Sequence, residues 1–240
     1  MKRLVQLFVS LVLLSNVTFA GHGGIGEKLF FQLGGTIAAD VTNMTGHFLM
    51  PDNKTKFEFS NLHINYATIM AVGRINFLEM TNNSSLDLAV RPCFGFGKYT
   101  NDDANGNAAM LRIPITLDFN SGAAATVSTR AKTGFSFGAG VELTKYPLVN
   151  AMTMADEGKG TGVKKTIDFK TPLFIQPVAV FGIKFFGKHY YCRELNFKAS
   201  FLPAKDMENA DVDNENNYTH KAKEFQSVGL MISFLQYLNY

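Results

Sequence analysis

The chain has 240 residues, with 23 Lys and Arg against 20 Asp and Glu, a balance too even to mark a nucleic-acid-binding surface. Its 2 cysteines, Cys93 and Cys192, are too few for a disulfide scaffold, and neither sits in a C-x-x-C or metal-ligand spacing, so both read as packing residues. Mean hydropathy is close to zero, and the length is ample for one domain with a sizeable core.

Lys2 and Arg3 precede the apolar run LVQLFVSLVLL and the segment SNVTFA, with small residues at Thr18 and Ala20. A basic start, a short apolar run and a small-residue site describe a cleaved export signal over residues 1–20. The run is shorter than the roughly 18 to 20 residues that a membrane-spanning anchor needs. No cysteine follows the site, which argues against a lipoprotein, and a single domain over 21–240 is expected to begin near Gly21. After the signal no stretch is long and apolar enough to cross a bilayer as a helix.

From there period-two alternation predicts eight strands, near residues 28–41, 56–79, 85–99, 109–119, 133–146, 172–186, 189–202 and 224–240. The first, in GEKLFFQLGGTIAAD, carries Gly34 and Gly35, which lack the lysine and helix-opening context of a phosphate loop and read instead as close packing between strands. The second is long and its alternation slips, which predicts a bulge or a projection beyond the sheet. The third sets Leu86, Leu88, Val90, Pro92, Phe94 and Phe96 against Asp87, Ala89, Arg91, Cys93 and Gly95. The fourth, MLRIPITLDFN, sets Leu111, Ile113, Ile115, Leu117 and Phe119 against Arg112, Pro114, Thr116 and Asp118. The fifth, GFSFGAGVELTKY, places Phe135, Phe137, Val141 and Leu143 opposite Ser136, Gly138, Gly140 and Glu142. The sixth and seventh follow suit, with Gln176, Gly182, Lys184, Glu194, Asn196 and Lys198 on their polar faces, although Val178 and Val180 blur the sixth and Arg193 interrupts the apolar face of the seventh. In the eighth, Val228, Leu230, Ile232, Phe234, Leu238 and Tyr240 share one parity, with Gln236 as the departure.

In a soluble barrel or sandwich the polar face meets water and is rich in Lys, Glu and Thr. Here the polar faces are dense in Gly, Ala and Ser with isolated charges, which suits the crowded lumen of a small barrel, while the aliphatic and aromatic face suits hydrocarbon. The expected fold is therefore all-β, an eight-stranded antiparallel up-and-down transmembrane β-barrel. Arg91, Arg112, Glu142, Lys184, Glu194 and Lys198 are the candidate lumen ion-pair residues, expected to fill a plugged interior with Arg and Glu partners neutralising one another. TNNS at 81–84 and GK at 187–188 read as tight periplasmic turns. Residues 147–170 and 203–223 read as long polar extracellular loops, and 120–131 as a periplasmic connection of unexpected length.

The chain resembles the small outer-membrane β-barrels of the OmpA/OmpX-like superfamily, especially the barrel domains of the Bacteroidota. The resemblance rests on the export signal, on LRIPITLDFN followed by FSFGAGVEL, and on the closing strand VGLMISFLQYLNY. It implies location in the bacterial outer membrane and contact with outer-membrane lipid. It also implies an assembly signal at Phe234, Leu238 and Tyr240 that the barrel-assembly machinery reads. No peptidoglycan-binding domain of the OmpA kind is expected after the eighth strand.

No catalytic constellation emerges. His22, His47, His63, His189 and His220 scatter and each reads as an exposed or loop histidine, with His47 and His220 expected in loops and His189 at a turn, and none lies in a G-x-S-x-G or H-E-x-x-H spacing. Asp206, Glu208, Asp211, Asp213 and Glu215 offer oxygen ligands for a cation, but without EF-hand spacing they read as a solvated acidic loop. The Asn-X-Ser/Thr sequons arise easily in a chain of this composition. No enzyme activity and no cofactor is expected. The favoured role is a non-enzymatic outer-membrane barrel whose loops mediate adhesion, host contact or membrane integrity through an extracellular ligand. Two alternatives are a transport or secretion accessory with a secretion partner, and a soluble exported barrel binding a lipidic ligand.

Overall fold

A computed structural model describes residues 28–49, 56–100, 105–146, 152–156, 165–170, 172–187, 191–213 and 219–239. The expected export signal, His22, His189, Glu215 and Tyr240 lie outside them. In chain order the strands are β1 (Leu29–Leu49), β2 (Lys56–Thr81), β3 (Ser84–Val90), β4 (Cys93–Thr100), β5 (Asn105–Gly122), β6 (Thr133–Lys145), β7 (Met152–Asp156), β8 (Lys165–Lys170), β9 (Phe174–Phe186), β10 (Cys192–Asp213) and β11 (Thr219–Tyr237).

Antiparallel pairing runs from β1 through β2, β3 and β4, β5, β6, β9, β10 and β11, and β11 pairs back to β1, so the sheet closes into a ring. Closure removes both sheet edges, which no open sheet achieves. β3 and β4 lie end to end between β2 and β5, so nine strands form eight staves. The break falls at Arg91 and Pro92, where proline has no N–H to give the ladder. The neighbouring backbone bridges it: Arg91 N–H donates to the Pro114 carbonyl at 2.9 Å, and Ala71 N–H to the Pro92 carbonyl at 3.1 Å.

All eight predicted strands are present, but several are longer at one end. β1 continues to Leu49, so His47 lies on a strand and not in a loop. β10 runs to Asp213 and β11 starts at Thr219, so most of the expected loop 203–223 is a strand pair and His220 belongs to β11. Within the expected loop 147–170, β7 and β8 form a hairpin, and β8 pairs with β10 at Asp211 and Asp213. Where polar residues occupy both faces of a strand the alternation no longer shows, although the hydrogen-bonded backbone ladder continues. The slip in the second predicted strand has a local cause as well: register shifts at Asn65/Ala67 and Asn76/Leu78, and a β1–β2 ladder interrupted between Gly35 and Val41. At Gly34 and Gly35 an added Cβ would collide with the carbonyls of Phe234 and Thr68, so these glycines do sit where strands press together.

Inner and outer faces alternate as the period predicts. Large apolar side chains stand on the outside all round the ring, among them Tyr66 (67% exposed), Phe96, Leu117 (58%), Phe137, Ile175 and Leu230 (57%). Val178 and Val180, ambiguous in sequence, point inward. Among the described residues no helix is long and apolar enough to cross a membrane, a test that does not bear on strands.

Candidate functional site in the barrel lumen

The lumen has a near end, where β1 starts and β11 finishes, and a far end beyond Thr100 and Lys145. Among the described residues the fully enclosed charges are Arg74, Arg91, Arg112, Lys184 and Lys198, against Asp40, Asp87, Asp118, Glu142 and Glu194, five of each sign. All six candidate residues are therefore in the interior, but four partners were missed: Asp40, Arg74, Asp87 and Asp118.

The expected Arg–Glu pairing is corrected by the geometry, because the arginines meet aspartates. Arg91 donates to Asp118 and to Thr116, and Thr116 in turn donates to Asp118 at 2.6 Å. Arg112 donates to Asp40 Oδ2, which also accepts from Thr68 at 2.5 Å and Asn65 at 2.8 Å. Arg74 Nε is 2.9 Å from Asp87 Oδ2. Lys198 pairs with Glu142, which also accepts from Gln176 at 2.8 Å. A long guanidinium reaching from one stave meets a short carboxylate on another without overfilling a lumen that side chains alone occupy.

Lys184 and Glu194 are directly cross-strand, yet each is satisfied by neutral groups. Lys184 donates to the Asn120 amide oxygen. Glu194 accepts from Gln32 (3.0 Å), Ser136 (3.0 Å), Asn196 (3.1 Å) and the Tyr237 hydroxyl (3.0 Å). Several donors on one carboxylate replace the water it lost on burial. Glycine makes room for it, since a Cβ on Gly182 would collide with Glu194 and Ser136.

The unexpectedly long connection after β5 closes the near end. Ala123, Ala124, Ala125 and Thr126 are buried, and the turn is begun by Gly122 and Ala124 at positive φ of 76° and 51°. The Ala125 carbonyl accepts from Ser85 at 2.7 Å and Asn76 at 3.3 Å, the Ala124 carbonyl accepts from Arg74, and Thr129 donates to the Asn83 side chain at 2.6 Å. Arg74 lies over the rings of Phe30 (4.3 Å) and Tyr237 (5.4 Å), which pack with Ala123, Ala124 and Cys192. The sequence signal for this plug was GAAAT, small uncharged residues where an exposed connection would carry polar ones.

The far half of the lumen carries an apolar cluster of Met44, Met110, Tyr99, Tyr146, Phe174, Leu202, Met207 and Phe225. His63 is buried beside it, edge-on to Tyr146 at 4.7 Å, and is not the exposed histidine expected. His47 is nearly buried, 3.6 Å from Glu224. Cys93 and Cys192 are buried free thiols in the lumen wall, far from forming a pair in the strand order. Of the acidic series, Asp206 is exposed and engaged by Lys223. The Lys223 ammonium, then the Glu224 N–H, hold the Asp206 carboxyl below its ordinary range. The backbone at 208, 211 and 213 belongs to β10. Among the described residues no group of His, Cys, Asp and Glu is arranged to hold a metal ion. Of the assembly-signal residues, Phe234 faces outward near Phe185 and Arg193, and Leu238 is exposed.

No family model matches the chain, and no curated protein matches it. Among solved structures it is similar to the outer membrane protein OprG from Pseudomonas aeruginosa, at 12% identity over 89% of this chain and 98% of that one, with a TM-score of 0.41. The barrel itself rests on the strand pairing.

Proposed function

We propose that this chain is a non-enzymatic integral β-barrel of the bacterial outer membrane, closed to bulk ion flow, that works through the surfaces at its far end. One observation carries the reading: polarity is inverted relative to a soluble barrel, with charges enclosed and a broad apolar belt outside. Large exposed apolar surfaces mark membrane or partner contact, and a belt around a whole barrel fits lipid. The same inversion disfavours a soluble lipid-binding barrel, whose apolar residues would line the cavity. A balanced, hydrogen-bonded lumen with an apolar cluster in its far half and a plugged near end disfavours an open channel.

In this reading the export signal over 1–20 is cleaved, the near end faces the periplasm, and Phe234, Leu238 and Tyr240 are read by the barrel-assembly machinery. The tall far ends of β1, β2, β10 and β11 with the β7–β8 hairpin meet an extracellular ligand. The OmpA/OmpX-like affinity belongs to the same proposal. Fractionation with a heat-modifiability gel tests it: the protein should resist carbonate extraction and migrate differently before and after boiling. Release as a soluble protein overturns the membrane reading, and large stable single-channel conductance of the purified protein overturns the closed lumen.

A further inference from the structure

We propose that the lumen wall made by β10, β11, β1 and β2 holds a site for a small uncharged hydrogen-bonding molecule, either water or a neutral solute of similar size and chemistry. Register places the parts side by side. Ser200, Gly229, Thr42 and His63 are successive cross-strand partners in one row. Two residues toward the far end, the next inward row is Leu202, Ser227, Met44 and Asn61. Same-face partners in adjacent rows are within reach of one another.

Thr42 Oγ1, Ser200 Oγ, Ser227 Oγ and both amide atoms of Asn61 have no hydrogen-bond partner within the protein. These side chains are at most 4% exposed, so bulk water does not serve them. Both hydroxyls converge on the Gly229 backbone: a Cβ there would stand 2.7 Å from Ser200 Oγ and 3.4 Å from Thr42 Oγ1, so any side chain at 229 would press on them. Two unpaired hydroxyls thus meet over the one residue of the row that has no side chain. Nearer the ionic layer, Asp40, Met231 and Lys198 form the next row, where Asp40 and Lys198 are engaged by Arg112 and Glu142. Within the second row Met44 and Leu202 belong to the apolar cluster, as does Phe225 two residues along from Ser227.

Buried polar groups in folded proteins are nearly always paired, and ordered molecules complete those the chain leaves open. The chemistry of the wall selects the occupant. Hydroxyls and an amide both donate and accept, so the guest does both. The neighbouring charges already have counter-charges, so the guest is neutral. An eight-stranded lumen is largely filled by side chains, so the guest is small.

The folded full-length barrel in lipid nanodiscs, labelled at threonine methyl groups, tests this by nuclear Overhauser transfer to the Thr42 methyl, assigned by its loss in Thr42→Val. Transfer from a long-lived water signal identifies water as the occupant. Transfer from glycerol or urea added to the sample identifies an exchangeable neutral solute. Absence of both overturns the site. Stability gives an independent reading through Ser200→Ala and Ser227→Ala. Occupied hydroxyls lose a partner, so the gel-shift unfolding temperature falls; hydroxyls with nothing to bond are a burden whose removal raises it, and a rise overturns the proposal. Should either variant fail to assemble, the wild-type methyl experiment decides alone.

Discussion

Ile115 and Thr116 are consecutive residues of β5, one on the outer wall and one in the lumen, and different forces hold the two faces. Outside, in the membrane reading proposed above, Ile115 needs only to be apolar, because lipid accepts any hydrocarbon of about that size. Inside, Thr116 is one member of a chain from Arg91 to Asp118 and has a specific neighbour on each side. The outer wall is a condition on residue class, whereas the lumen is a condition on residue identity.

The sharpest way to break that contrast is in the lumen. Arg112→Leu should destabilise the barrel by about 3 to 5 kcal/mol, because it leaves the enclosed Asp40 carboxylate without its counter-charge. Urea unfolding in lipid vesicles measures this, and adding Asp40→Asn should recover much of the loss. A single-variant loss near zero would mean that water reaches the pair.

On the outer wall, Ile115→Arg should cost about 2 to 4 kcal/mol, the penalty for arginine at depth in the lipid, while Ile115→Leu should cost almost nothing. A bilayer-restricted quencher should reach a fluorophore on Ile115→Cys and not one on Thr116→Cys, in a background lacking Cys93 and Cys192. Equal quenching at both would erase the distinction between the faces.

Thr116→Ala sharpens the inner side. The alternation of polar and apolar residues suggests a cheap change, but the hydroxyl bridges two charged groups, so a loss of about 1.5 to 3 kcal/mol is expected from unfolding curves.

A smaller effect is expected where the lumen is closed by backbone rather than by charge. Ala124 is held at a positive φ of 51°. Ala124→Gly relieves that conformation and should stabilise by about 0.5 to 1 kcal/mol, read as a higher unfolding temperature. The smallest effect lies outside both faces. The Asp206 carboxyl, lowered by Lys223, should keep its contact at neutral pH and lose it as pH falls through its lowered range. A carboxyl-carbon titration should show the low midpoint, shifted up by Lys223→Ala, with barrel stability unchanged.

The staves were legible because a period of two needs no knowledge of the partner strand. For the same reason the parity of Arg112, Glu142, Lys198 and the rest was legible. Asp40 and Arg74 were not, since they sit beside the glycine pair and the register shifts where alternation falters. An isolated charge among apolar residues, as in TIAAD and VGRINF, was the signal available for both.

Sequence by itself determined which side of each stave is apolar, because that property belongs to single residues and their spacing. Who pairs with whom inside was decided only when the ring closed. Arg112 and Asp40 are 72 positions apart, and Gln32 and Glu194 are 162 apart. Their meeting depends on the register of every intervening strand, since one residue of slip would turn the side chains to the other face. The plug was decided the same way, for Ala124 presents its carbonyl inward only because Arg74, stacked on Phe30 and Tyr237 from opposite ends of the chain, is there to receive it.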